Sequence, residues 1–141
     1  MRPDLDQWAM EIAKVTASRA TCVRRKVGCV LVNNKGYILA TGYNGVPKGL
    51  NHCIANECSG SNASSGTRLD ECLAVHAEMN ALLQCNNVFD IHTVYVTVSP
   101  CIHCIKVLLN TSCKRIVFLE EYSDIRSKEL WLSAGLEWSL L

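Results

Sequence analysis

His76-Ala77-Glu78-Met79-Asn80-Ala81-Leu82-Leu83-Gln84, then Thr93-Val94-Tyr95-Val96-Thr97-Val98, then Ser99-Pro100-Cys101-Ile102-His103-Cys104-Ile105-Lys106-Val107-Leu108: the reading of this run decides the fold. The first piece spaces Met79, Leu82 and Leu83 as the inner face of a helix, and the second is rich in β-favouring residues. In the third, Pro100 suits the first turn of a helix that continues to residue 110. Helix, strand and helix in succession are the unit of a layered α/β protein.

The flanks extend this pattern. Leu5, Trp8, Ile12 and Val15 recur at helical spacing behind Asp4, a good N-cap, so residues 5–19 are expected to pack an apolar stripe on a sheet. Residues 27–33 and 37–43 read as strands of a hairpin closed by Asn33-Asn34-Lys35-Gly36. Downstream, residues 115–119 read as a strand, 124–134 as a helix and 136–138 as a short last strand. The expected fold is therefore α/β: a three-layer α/β/α sandwich around a central mixed five-stranded sheet, with residues 1–141 forming one domain. Ligands of such open sheets gather at the carboxyl ends of the strands.

The chain has 141 residues, 49% of them hydrophobic, and no apolar run of membrane-spanning length. Its first residues lack the apolar core of an export signal, so a soluble protein of the cytoplasm is expected. Fourteen basic and 13 acidic side chains leave a net charge of +1, which argues against a long polyanion as partner. Nine cysteines in such a compartment point to metal ligation and buried thiols rather than disulfides.

His76, Cys101 and Cys104 are the ligand types that zinc prefers, and a catalytic zinc keeps three protein ligands and leaves its fourth position to water. His103 then flanks the site, since three ligands and water complete the tetrahedron. Glu78 stands two residues from His76, so on a helix the side chains diverge by roughly 200° and can flank one site in different roles. Zinc brings the pKa of bound water to about 7, and a carboxylate beside it can take that proton and return it to a leaving amine. A helix N-terminus at Cys101 favours its thiolate. His-x-Glu or Cys-x-x-Cys alone is weak; the two in this order, separated by one strand, are specific.

Residues 48–72 lack periodicity but carry His52, Cys53, Cys58 and Cys72. With Cys22, the four cysteines Cys22, Cys53, Cys58 and Cys72 form a candidate second, structural zinc site, the alternative being unligated thiols with His52 at the surface. The basic run Arg24-Arg25-Lys26 reads either as a solvated loop or as a seat for an anion.

Thr21-Cys22, Lys26-Val27-Gly28-Cys29-Val30, Gly42-Tyr43-Asn44-Gly45-Val46-Pro47, His52-Cys53, His76-Ala77-Glu78-Met79-Asn80-Ala81-Leu82 and Tyr95-Val96-Thr97 leading to Ser99-Pro100-Cys101 together resemble the deoxycytidylate (dCMP) deaminase family, of cytidine deaminase-like fold. The compact length is similar to phage or bacterial members, which would place the protein in the host cytoplasm if it is phage-encoded. The resemblance implies hydrolysis of dCMP to dUMP and ammonia, supplying dUMP for thymidylate synthesis. It carries over His76, Cys101 and Cys104 as zinc ligands and Glu78 as the proton shuttle. Asn44 matches a substrate-binding asparagine near the sugar, Arg24, Lys26 and Tyr122 match the region around the 5′-phosphate, and Ala77 and Ser99 fall beside the substrate. Family members are often hexamers activated by dCTP and inhibited by dTTP, with Mg2+ accompanying the triphosphate. The resemblance places Gly42, Tyr43, Asn44 and Gly45 at that effector site. Cys22 and Cys53 match members with a second zinc, and Cys58 and Cys72 complete the set by inference from this chain.

Competing readings are a cytidine or tRNA adenosine deaminase of the same superfold, and a zinc-binding module without activity. The near-neutral charge weighs against tRNA, the basic loop favours a nucleotide over free cytidine, and Glu78 has no use in a purely structural site.

Overall fold

The computed structural model describes residues 1–22, 25–51 and 73–141. Arg24, His52, Cys53, Cys58 and Cys72, named above as candidates, lie outside the described residues. Nine regular elements position the site: α1 (Leu5–Ala17), β1 (Gly28–Val32), β2 (Ile38–Tyr43), α2 (Ala77–Gln84), β3 (Thr93–Val98), α3 (Ile102–Leu108), β4 (Arg115–Glu120), α4 (Arg126–Ser133) and β5 (Glu137–Leu140).

The strands form one mixed sheet in the order β2-β1-β3-β4-β5. β1 runs antiparallel to both β2 and β3, while β3, β4 and β5 are parallel. The steps β2–α2–β3, β3–α3–β4 and β4–α4–β5 all advance the same way across the sheet. Crossovers of one hand must therefore lay α2, α3 and α4 on the same face. The packing agrees: Ala81, Ile105, Leu108 and Trp131 share a core with Leu31, Val94, Val96, Ile116 and Phe118. On the other face α1 packs Ala9, Met10 and Ala13 against Val30, Val32, Tyr95 and Val117. This is the expected three-layer α/β/α sandwich.

Two expectations about helix faces are corrected. On α1 only Ile12 of the expected stripe packs against the sheet; Leu5, Trp8 and Val15 are exposed, Val15 at 69%. The inward face is Ala9, Met10, Ala13 and Ala17. Backbone proximity explains the choice, since a Cβ on Gly28 would stand 1.9 Å from the Ala13 carbonyl oxygen. At that point of contact only a small side chain fits. On α2, Leu83 is likewise 80% exposed, and Ala77, Glu78 and Ala81 point inward. Here too the cause is contact: a Cβ on Gly42 would lie 2.4 Å from both the Ala77 oxygen and the Ala81 nitrogen.

Local signals at the ends behave as their chemistry requires. Asp4 caps α1 in a capping box with Gln7. Asn33 Oδ1 accepts from the Lys35 and Tyr37 amides, and Gly36 takes the positive φ that closes the hairpin. Pro100 sits two residues before the first helical residue Ile102, ahead of the N-cap Cys101 rather than in the first turn. Among the described residues no helix is long and apolar enough to cross a membrane.

Candidate active site

His76 is the N-cap residue of α2, and Cys101 is that of α3. Neither side chain caps its helix by hydrogen bonding, so both are left to face the gap between the two N-termini. Cys101 follows directly from the carboxyl end of β3, the end where open α/β sheets place ligands. Cys104, one turn into α3, points into the same gap.

His76 Nδ1 lies 3.3 Å from Cys104 Sγ and 3.4 Å from Cys101 Sγ. The ligand atoms of all three residues fall within 4.8 Å of one another. Zn–N and Zn–S bonds arranged as a tetrahedron give N···S edges of roughly 3.5 Å. Protonation argues the same way. The Cys101 thiolate is favoured, first by a hydrogen bond from the Cys104 thiol and then by His76. The same contact with Cys101, together with burial, holds the proton on Cys104. Two thiolates coexist here only if a cation replaces that proton, which is what a soft divalent ion does. Distances and donor chemistry therefore fit zinc. His103 is exposed and stands outside the cluster.

Glu78 lies in the first turn of α2 and is 4% exposed. Burial pushes its carboxyl up to about 7, with the charge of His76 pulling the other way. A carboxyl poised near neutral pH both accepts and donates a proton readily.

The remaining sequence candidates divide into those near this gap and those engaged elsewhere. Ser99 is buried; its amide donates to the Glu120 carbonyl, and its Oγ accepts from the Tyr122 amide at 2.6 Å. It thus ties the turn before Cys101 to the segment carrying Tyr122. The Ala77 side chain is fully buried in the core, which leaves its main chain as the part that can meet a ligand. Gly42 is committed to the close approach of α2. Gly45 exchanges two main-chain hydrogen bonds with Val75, the residue before His76. Asn44 is buried, and its amide holds the main chain of residues 25 and 27. Lys26 is exposed, and Cys22 is buried.

Sequence reasoning missed a cleft of about 520 Å³ lined by Arg19, Lys26, Lys48, Tyr43, Gly45 and Asn80. Among the described residues none of its three cations pairs with a carboxylate. Asn80 donates to the Tyr43 carbonyl at 2.8 Å, joining α2 to the cleft wall. Lys26 belongs to the basic run already singled out, but Arg19 and Lys48 come from other segments that no local run joins to it.

Fold and cluster together define an α/β/α metalloprotein with its ion site between two helix N-termini and an acid beside it, the arrangement of the zinc deaminases. Residues 3–120 match the family described as the cytidine and deoxycytidylate deaminase zinc-binding region, and the chain belongs to that family. It is 36% identical over 139 residues to the deoxycytidylate deaminase of Saccharomyces cerevisiae, covering 96% of this chain but 44% of the yeast protein. It is 40% identical over 128 residues to the deoxycytidylate deaminase of Mycobacterium phage D29, covering 85% of this chain and 98% of the phage protein. Among solved structures, the dCMP deaminase of cyanophage S-TIM5 in complex with dCMP and dUMP matches with a TM-score of 0.81 at 27% identity, over 100% of this chain and 99% of that one.

Proposed function

We propose that the chain hydrolyses dCMP to dUMP and ammonia, with zinc held by His76, Cys101 and Cys104 and with Glu78 as the proton carrier. The observation that carries this reading is the three-ligand cluster with a buried carboxyl beside it, in a chain whose relatives are named deoxycytidylate deaminases. Zinc, when bound, supplies the charge that lets water act as a nucleophile at neutral pH. Glu78 takes a proton from the attacking water to ring N3 and relays the second from the new C4 hydroxyl to the 4-amino group, so the C4–N bond breaks, ammonia leaves and the carbonyl of uracil forms. Its burial keeps bulk water from competing for that proton. Ser99 fixes the Tyr122 segment beside the Cys101 turn, and Lys26 with its basic neighbours offers charge to the 5′-phosphate.

The reading includes regulation: dCTP with Mg2+ activates and dTTP inhibits, by binding the cleft where Tyr43 and Gly45 meet Arg19 and Lys48. A concentration of one sign of charge suits a triphosphate. The bonds from Gly45 to Val75 and from Asn80 to Tyr43 give the cleft a direct mechanical link to His76. The product would supply thymidylate synthesis in the cytoplasm, that of the host for a phage-encoded enzyme, and the working form would be a hexamer. A second zinc held by Cys22, Cys53, Cys58 and Cys72 would anchor the segment that leads into α2.

A panel of cytidine, dCMP, dCTP and tRNA, each with and without triphosphates, tests the substrate and the regulation together. The expected result is turnover of dCMP alone, sigmoidal without dCTP and depressed by dTTP. Turnover of cytidine or tRNA in preference to dCMP would overturn the substrate assignment. A hyperbolic rate indifferent to both triphosphates would overturn the regulation. Elemental analysis should find two zinc ions per chain, and a stoichiometry of one would remove the second site.

A further inference from the structure

We infer that the open edge of β2 and the exposed stripe of α1 form one docking surface for a second copy of this chain, joined across a two-fold axis by antiparallel β2–β2 pairing. The inference holds for a dimer as for the hexamer proposed above, and it is independent of the substrate. β2 is an edge of the sheet, and among the described residues it pairs only with β1. Edge strands invite pairing with other chains, and proteins guard them with charge, proline or bulges. Ile38-Leu39-Ala40-Thr41-Gly42-Tyr43 has neither charge nor proline. Its pairing with β1 skips Leu39, a bulge that disturbs the start of the strand and leaves residues 40–43 regular. The opposite edge is better guarded, since β5 is four residues long and carries Glu137.

Beside the open edge lies apolar surface. Leu5, Trp8 and Val15 of α1 are exposed, and so are Tyr37 and Ile38 of the hairpin. A groove of about 470 Å³ runs between helix and strand, with Trp8, Ile12 and Val15 on one side and Thr41 and Tyr43 on the other. Apolar surface gathered in this way marks a contact site.

Symmetry and charge name the occupant. α1 and β2 run side by side in the same direction: Leu5 lies next to Gly36, ahead of β2, and Arg19 meets Tyr43 at its end. The 13 residues of α1 and the six of β2 each span about 20 Å. A two-fold axis through the middle of β2 therefore joins the sheets and lays the two α1 helices antiparallel on one face. Trp8 of one copy then stands opposite Val15 of the other, and the contact occurs twice. Charge favours the same direction, because Asp4, Asp6 and Glu11 make the first half of α1 acidic while Lys14 and Arg19 make its end basic. Antiparallel docking sets each acidic half against a basic one. A copy of the same chain thus matches both the edge and the charge gradient, and such isologous contacts are the commonest in soluble oligomers.

Light scattering coupled to size exclusion tests this on the full chain. The wild-type protein should hold an even number of copies, and Val15→Glu, a change at an exposed position, should cut the mass to a half or a third. Trp8→Lys should act in the same way. A second reading needs no variant: the β2 amides that point away from β1 should exchange with solvent at least tenfold more slowly in the assembled wild type than an open edge would. A monomeric wild type would overturn the inference. So would an unchanged mass in both variants, or outward β2 amides that exchange at the open-edge rate in the assembled wild type. A dimer that Val15→Glu splits would support the inference and overturn only the hexamer.

Discussion

The two ends of the sheet treat charge in opposite ways. At the amino end of β4, Arg115 donates to both oxygens of Asp6 at 2.7 and 2.6 Å and also pairs with Glu137, while the Tyr95 hydroxyl donates to Asp6 at 2.6 Å. Arg115, Asp6 and Glu137 each have a protein partner, and Arg115 holds the Asp6 carboxyl below its usual range. At the carboxyl end, Glu78, Cys101 and Cys104 crowd together with His76 as their neighbour and too little positive charge among them. The carboxyl is pushed up rather than down. The first end is finished by folding alone, whereas the second is finished only by a ligand, and that contrast marks it as the functional end.

The largest effect that sharpens the contrast is at Glu78. Glu78→Gln should lower kcat for dCMP by roughly 10²- to 10⁴-fold while elemental analysis still finds zinc at the centre. Turnover at the wild-type rate would end its assignment as proton carrier. Next is Gly42→Ala, whose added Cβ must displace α2 and with it His76 and Glu78. A stability loss of about 2 kcal/mol and weaker zinc retention are expected, measured by urea unfolding and chelator competition. If Gly42 served only an effector, neither would change. At the opposite end, Arg115→Ala leaves Asp6 and Glu137 without their cation and should cost about 2 kcal/mol by urea unfolding. Its kcat should stay at the wild-type value, and a large fall would mean that the two ends are coupled.

The smallest effect is one of pH. The folded pKa of Asp6 is depressed, so its stabilisation is present above the unfolded value of about 3.9 and disappears as pH falls through the folded value. The stability gap between wild type and Asp6→Asn should be widest near neutrality and should close in acid. A gap independent of pH would place its origin in packing instead.

The contrast between the two ends also separates what the sequence could reveal from what it could not. β3 was legible because six β-favouring residues form a buried strand wherever they fall, and the His-x-Glu and Pro-Cys-x-x-Cys pair was legible because ligand chemistry restricts residue type. The face of α1 was not. Hydrophobicity favours Leu5, Trp8 and Val15, but the sheet approaches so closely at Gly28 that alanine wins the inward positions. Asp6 and Arg115 are 109 residues apart, and nothing local to either announces the pair. The cation-lined cleft escaped for the same reason, since Arg19, Lys26 and Lys48 meet only after the hairpin and α1 have packed. Residue type was readable where chemistry selects it, and distance was not.

The placement of His76 and Cys101 at the starts of successive helices has a topological consequence. An ion held by both joins residues 25 positions apart, with the rest of α2 and all of β3 inside the loop. Such a clip restricts the unfolded chain as a cross-link does, worth about 3.5 kcal/mol by the chain-entropy relation for a loop of that size. The metal would then be a fastener as well as a reagent. Its removal should loosen amide protection in α2 and α3 first and leave α1 and the β1–β2 hairpin, which lie outside the loop, exchanging much as before.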